Sequence, residues 1–307
     1  MNAMIGQVAW RIKALIHIII SCLPYNYRIN FVLQNLRHAF SAANMLTSYR
    51  SQVKYITGLN GRFPLSGKTV LEIGPGWYSI GAILFYLLGA KQIYLIDIRP
   101  VLSFKLTLKY GNVLRAHYLE VALDLGIDSD TVLRKLNKLN SATSIEELFY
   151  FMNAVYQAPA DAQKTTLPDH SIDLIYSHGV LEHIPVTILS GIMKESARIL
   201  KIGGRHYHNI GLHDHFDYAG SGNGVNFLKY SPLIWWLIAG NSLAYHNRLR
   251  RSDYLKLISQ YGKITWQDDE LLEKNIEALK RIKVCKVFKE YEPTDLAYSA
   301  LYVEVAI

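Results

Sequence analysis

The sequence predicts an α/β protein with a mostly parallel sheet, and three observations lead there. Val70-Leu71-Glu72-Ile73-Gly74-Pro75-Gly76 has the form of a buried strand that runs into a glycine turn. An apolar stretch through Leu88 follows and reads as a helix, and Gln92-Ile93-Tyr94-Leu95-Ile96-Asp97 is a second strand that ends in an acid. Strand, turn, helix and strand in this order make the first half of a site for a nucleotide-bearing cofactor.

Each part has its physical reason. Gly74 and Gly76 permit a sharp turn and the close approach of a ligand to the backbone. Asp97 lies about 20 residues past the turn, the separation at which a carboxylate takes both hydroxyls of a ribose. A dinucleotide site also asks for a small residue three places after the second glycine, and Ser79 leaves that question open. Glu72 bears on the charge: a carboxylate on the strand before the turn repels a diphosphate and attracts a cationic cofactor.

Residues 1–62, ahead of this unit, are expected to be helical with a break at Pro24 and to form a cap. Tyr25, Tyr27, Arg28, Phe31, Arg37, Phe40, Tyr49 and Arg50 give that cap aromatic and basic faces. Ala14 to Leu23 is apolar but too short to cross a bilayer. The helix-like pattern continues through Tyr25 to Phe40, which argues against a cleaved secretion signal. A buried helix is the favoured reading, and peripheral membrane contact through residues 5–24 is the second. Gly58, Gly61, Pro64 and Gly67 mark the entrance to a core domain over 63–307.

After Pro100 the stretch of about 101–160 is rich in Leu, Lys, Asn and Tyr at helical spacing and reads as a helical insertion that shapes an acceptor pocket. Core pattern resumes at Asp161. Ile172 to His178 is a short apolar strand, a helix then runs to a stop at Gly203-Gly204, and Arg205 to Ile210 is the next strand. A polar loop of about 211–251 follows, with an aromatic segment, Asn226 to Trp236, whose first reading is the packing of a helix after Pro232.

Composition narrows the class. The chain has 307 residues, half of them hydrophobic, enough for one sizeable core with appendages. Its formal charge is +8, but no stretch alternates basic and aromatic residues over a groove-sized length, so nucleic acid is not expected as a partner. The densest basic groups, Arg248 to Arg251 and Lys280 to Lys289, read first as solvated faces, with anion contact from Asn247 to Arg250 as the alternative. Cys22 and Cys285 have no metal-binding or redox spacing, which fits a reducing cytoplasm.

Taken together, VLEIGPG, the acid Asp97, DLIYSHGVLEHI and the LKIGG turn resemble the class I S-adenosylmethionine-dependent methyltransferase family, in particular its type 11 group. The resemblance covers Thr69 to Ile210 apart from the insertion. It implies a Rossmann-like, mostly parallel seven-stranded sheet whose last strand is antiparallel, with Lys263 to Gln267 and Ser299 to Ile307 as the sixth and seventh strands. It also implies S-adenosyl-L-methionine as cofactor. Glu72, Gly74 and Gly76 would surround the methionine moiety, Asp97 the ribose and Asp161 the adenine amino group. Ser177 and His178 would line the methyl-transfer side.

Methyl transfer from a sulfonium is an in-line displacement, and a hydroxyl acceptor must also lose its proton. His213, Asp214 and His215, in the loop after the fifth strand, and His183 are the candidates for base or acceptor contact. His206 and His208 share one strand face and are expected in the core. Glu182-His183 resembles a pair that holds a divalent ion in some oxygen methyltransferases. A helix start is the first reading of that pair, and no residue is assigned as a metal ligand. The function expected is S-adenosylmethionine-dependent methylation, at an oxygen of a small-molecule, sugar or lipid-linked acceptor. An NAD(P)-dependent oxidoreductase and a non-catalytic, membrane-peripheral protein with a vestigial cofactor fold stand as alternatives.

Overall fold

The computed structural model describes residues 2–36, 38–216 and 223–307, with side chains from residue 12 onward. Arg37, residues 217–222 of the polar loop and the side chains of residues 5–11 therefore lie outside the described part. Seven strands form one sheet in the order β3-β2-β1-β4-β5-β7-β6. They are β1 (Thr69–Ile73), β2 (Gln92–Ile96), β3 (Ala154–Gln157), β4 (Ile172–His178), β5 (Leu200–Gly211), β6 (Lys263–Leu271) and β7 (Tyr298–Ala306). β1 pairs in parallel with β2 and with β4, β2 pairs in parallel with β3, and β7 runs antiparallel to β6. The expected sheet, with its antiparallel last strand, is the one observed.

By contact density the chain forms two compact units. One comprises Leu33–Ser177 and Glu195–Arg205; the other comprises Met1–Val32, His178–Lys194 and His206–Ile307. The 1–62 segment is thus shared: α1 (Asn2–Ser21) belongs to the second unit and α3 (Ala42–Arg62) to the first, with α2 (Asn26–Leu36) at the boundary.

In the first unit, Val70 to Ile73 of β1 are all buried, as expected of a parallel strand covered on both faces. α4 (Ile80–Leu87) is apolar all round, and seven of its eight residues are buried. α3 starts at Ser41, whose side chain accepts from the Asn44 N–H, and it buries Met45, Tyr49, Val53, Ile56 and Leu59 at helical spacing. α5 (Phe104–Ala116), α6 (Tyr118–Leu125), α7 (Ser129–Asn140) and α8 (Ile145–Met152) fill the expected insertion. Its far end differs from the sequence reading, because the stretch of about 101–160 closes on a core strand, β3. Asn153, at φ 49°, ends α8, and its carbonyl accepts from Ile93 N–H beside β2. Four residues, Ala154 to Gln157, are too few to register a period of two beside a helical pattern.

In the second unit, α9 (Val186–Ile199) crosses the boundary and stops before Leu200. The helix therefore does not end at Gly203-Gly204, as its sequence suggests; both glycines lie inside β5, with Gly203 at φ 77°. α10 (Pro232–Ala239), α11 (Arg251–Ile258), α12 (Glu273–Arg281) and α13 (Pro293–Ala297) complete the unit. Ala14 of α1 shares a core with Phe216, Phe227, Trp235, Ala239 and Leu296.

Arg248 and Arg250 are buried, not solvated. Arg248 donates to the carbonyls of Phe227 and Tyr230, and its guanidinium lies 5.2 Å from the Trp235 ring and 5.0 Å from that of Phe288. Arg250 donates to the carbonyls of Leu212 and Tyr298 at 2.7 and 3.0 Å, and also reaches those of Asp295 and Leu296. Arg250 is committed to backbone oxygens and Arg248 spends Nη1 on two of them, so neither is the solvated cation that the sequence suggests.

Candidate active site

The first unit carries the cofactor-type crevice. β1 delivers Glu72, then the chain turns through Gly74 and Gly76 at φ 70° and 69°. Gly74 N–H donates to the carbonyl of Ile96 at 2.8 Å, which ties the turn to the end of β2. A Cβ on Gly76 would meet nothing within 4 Å. Its dihedral angle is what requires glycine, and open space lies beside it.

Glu72 is 5% exposed. Its Oε2 accepts from the Ser79 hydroxyl at 2.6 Å, and that same hydroxyl oxygen accepts from the Ala82 N–H at 2.9 Å, capping α4. A Cβ on Gly81 would stand 2.9 Å from Glu72 Oε1, so the carboxylate sits hard against the start of the helix. Burial pushes its pKa up to about 7 against the opposing pull of Ser79 and the Ala82 N–H, and Asp97 adds to the rise. Two carboxylates therefore share this crevice.

Asp97 follows β2. Its Oδ1 accepts from the Arg99 N–H at 3.0 Å. Its pKa is raised by burial, an effect countered by the backbone N–H groups of Arg99, Gly76 and Ile98 and by the Arg99 charge. The Gly76 N–H thus faces the acid across the turn. The Asp97 carbonyl accepts from the Ala160 N–H at 2.8 Å, which fastens the loop after β3 here. Asp161, next in that loop, is exposed, and its Oδ1 accepts from the Gln163 N–H at 2.8 Å. Ser177 is fully buried opposite Ile73 in the pairing of β4 with β1. His178, the last residue of β4 and the first of the second unit's stretch, is half-buried, and desolvation brings its pKa down to about 4.

The second unit carries a histidine cluster. A short 3₁₀ turn, Leu181–His183, comes directly after β4. Glu182 there is 2% exposed; its Oε1 accepts from the Gly211 N–H at 2.9 Å, and burial raises its pKa. Among the described residues its Oε2 is buried and meets no hydrogen-bond partner. His183 is exposed, and its Nδ1 lies 2.8 Å from the Tyr245 carbonyl. A carbonyl only accepts, so Nδ1 carries the proton and Nε2 presents a lone pair.

The loop after β5 brings the other rings. His213 and His215 have centroids 4.9 Å apart, and His215 lies 4.8 Å from His183. His213 Nδ1 is 3.2 Å from the Ser299 carbonyl. Burial, reinforced by the neighbouring His183, His213 and Lys13 groups, pushes the pKa of His215 down to about 2. Asp214 is 1% exposed, and its Oδ1 accepts from the Phe216 N–H at 2.9 Å, so this carboxylate shapes the loop. Glu182, His183 and His215 offer ligand atoms within 4.8 Å of one another.

His246, which sequence reasoning missed, is buried with its ring 4.7 Å from His215, edge to face. Its Nδ1 accepts from the Arg248 N–H at 3.1 Å, so the proton sits on Nε2. Asn247 beside it holds the cluster's floor: its N–H donates to the Glu182 carbonyl and its amide to those of Leu181 and Ile184. No local pattern marks His246, and Asn247 stands out in the sequence only as a neighbour of the arginines; the hydrogen bonds of Asn247 to the 181–184 segment place both here. His206 and His208 are buried at 1% and 0%, in the core as expected.

A family model described as a methyltransferase domain matches residues 106–208. That span takes in β3, β4, α9 and most of β5, with Asp161, Ser177 and His178, but not the glycine turn, Glu72 or Asp97. No curated protein matches the sequence. Among solved structures the chain is similar to an S-adenosylmethionine-dependent methyltransferase from Mesorhizobium loti, at 15% identity over 83% of this chain and 98% of that one, with a TM-score of 0.44. It is likewise similar to the geranyl diphosphate C-methyltransferase from Streptomyces coelicolor A3(2), at 12% identity over 84% of this chain and 78% of that one, TM-score 0.44.

Proposed function

We propose that the chain is a class I, S-adenosylmethionine-dependent methyltransferase, a reading supported by the methyltransferase-domain match over residues 106–208, and that it methylates an oxygen of a small-molecule, sugar or lipid-linked acceptor. One observation supports the cofactor assignment above others. Glu72 and Asp97, on neighbouring strands, flank a glycine turn with open space beside it, and burial raises the pKa of both. Such a pair disfavours a pyrophosphate and favours a ligand with an ammonium and a sulfonium, both of which S-adenosylmethionine brings. Glu72, Gly74 and Gly76 then serve the methionine end and Asp97 the ribose. Asp161, Ser177 and His178 complete the cofactor set.

The histidine cluster supports the oxygen acceptor. A hydroxyl must lose its proton as the methyl arrives, and His183 suits that role: it is exposed, with its proton fixed on Nδ1 and a lone pair on Nε2. His215 stays neutral but is a weak base, so it and His213 serve as acceptor contacts, and Asp214 sets their loop. A divalent metal is the second reading, favoured by the unpartnered Oε2 of Glu182. Glu182, His183 and His215 would hold the ion, and it would supply Lewis-acid help to a bound hydroxyl.

Calorimetric titration with S-adenosylhomocysteine tests the cofactor half. Binding is expected, weakened about a hundredfold or more in Asp97→Ala by loss of charge-assisted hydrogen bonds. If neither protein responds while NADH quenches tryptophan fluorescence, the oxidoreductase returns. Transfer from a ¹³C-methyl donor tests the acceptor half, because the carbon shift separates an O-methyl from a C-methyl product. A His183→Ala variant is expected to lose turnover while it still binds S-adenosylhomocysteine.

A further inference from the structure

The outer surface of the second unit has a face that its own core does not cover. From residue 12 onward α1 turns Ala14 and Ile20 inward, yet Ile12, Leu15 and Ile19, with Leu23 just past the helix end, at steps of three and four, are 52%, 56%, 55% and 44% exposed. α10 packs against α1 and repeats the pattern: Trp235 and Ala239 are buried, while Leu233, Ile234, Trp236 and Leu237 are 68%, 47%, 62% and 59% exposed. Each helix is thus apolar both toward the core and away from it. In water that is costly, and a bilayer surface is one environment that removes the cost. No described helix is long and apolar enough to cross a membrane, so the geometry is that of a surface contact.

Charge selects the occupant. Residues 1–32, the part of the N-terminal segment that belongs to this unit, hold three cations, Arg11, Lys13 and Arg28, and no carboxylate. The segment that carries α10 is free of acids as well, from Asp217 to Asp253. A self-association face or an ordinary core has no need of such a distribution, whereas an anionic surface repels every carboxylate near it. Arg28 of α2 lies exposed over the rings of Tyr25 and Tyr27, 5.3 and 5.8 Å from their centroids, an aromatic and cationic pairing suited to a headgroup layer.

The contact is also held in place. Lys13 donates to the His215 carbonyl at 2.8 Å, and Asn26 donates to the Ser242 hydroxyl at 3.2 Å and the Ser21 carbonyl at 3.1 Å. α1 is therefore fastened to the body of this unit, and its exposed stripe stays beside that of α10.

We propose that the exposed faces of α1 and α10 lay this protein on an anionic lipid bilayer, in the plane of the interface. The surface stands independently of the methyl-transfer reading.

Flotation of the full chain with vesicles tests it. The protein is expected to float with phosphatidylcholine mixed with phosphatidylglycerol and to stay down with phosphatidylcholine alone. Binding should fall about tenfold or more in Leu15→Glu and in Trp236→Glu, both solvent-facing changes that leave the melting temperature near its starting value. Brominated acyl chains should quench fluorescence in the parent and much less in Trp236→Phe, which still floats. Failure to float, equal binding to neutral vesicles, or flotation of both glutamate variants like the parent overturns the proposal. So does a dimer, seen by light scattering without lipid, that Leu15→Glu splits, because the face would then belong to a second copy.

Discussion

Glu72 shows what a single side chain contributes to ligand choice. Its folded pKa of about 7 stands above the ordinary 4.5, because burial disfavours the charge. The sign follows: the stabilising contribution is complete below pH 4.5 and is lost as pH rises through about 7, on the order of 3 kcal/mol in all. The ligand-free protein should therefore lose stability to urea between pH 5 and pH 8 relative to Glu72→Gln, whose profile should be flatter in that window. A cationic ligand reverses the balance by favouring the carboxylate. S-adenosylhomocysteine, through its ammonium, should bind more tightly as pH rises from 6 to 8 and should release a proton, read as a buffer-dependent heat in calorimetry. Identical profiles for the two proteins, with no proton release, would remove Glu72 from the cofactor's surroundings.

Single elements inherit these constraints, and α4 is the clearest case. One hydroxyl, that of Ser79, caps the helix at Ala82 and donates to Glu72. Ser79→Ala should cost about 1–2 kcal/mol for the cap and the lost donor together, measured by urea denaturation. It should also move the Glu72 titration upward, a change that loss of helix stability alone would not produce. The glycine turn with its strand, helix and strand was legible in the sequence because its causes are local: positive φ at Gly74 and Gly76, a continuous apolar run for α4, an acid after β2. The start of β5 was less so. Gly203-Gly204 resembles a helix stop, but the strand register that absorbs the two glycines depends on residues far along the chain. β3 was hidden for a related reason, as its four residues pair with β2 across the whole α5 to α8 stretch, so no local pattern announces the pairing.

At the scale of the whole molecule, the second unit is assembled from three separated stretches, and its histidine cluster depends on all of them. His183 comes from one, His213, His215 and His246 from another, and Lys13 of α1 reaches back to the His215 carbonyl. The sequence could nominate His183, His213 and His215 by residue type and place, but their convergence, and the arrival of His246, are tertiary facts. So is the fate of Arg248 and Arg250, which look like surface cations in sequence and in the fold are spent on backbone oxygens. This dependence yields a prediction. Removing residues 1–24 uncovers the core that Ala14 shares with Phe216 and Trp235 and frees the His215 loop. The melting temperature should fall, by about 2–4 °C for each kcal/mol lost. Amide exchange should rise first over residues 212–216 and 235–246, while exchange over residues 69–97, in the other unit, holds its original rate. An unchanged melting temperature with unchanged exchange in the 212–246 region would show that α1 is an appendage and that the cluster is held by the remaining two stretches alone.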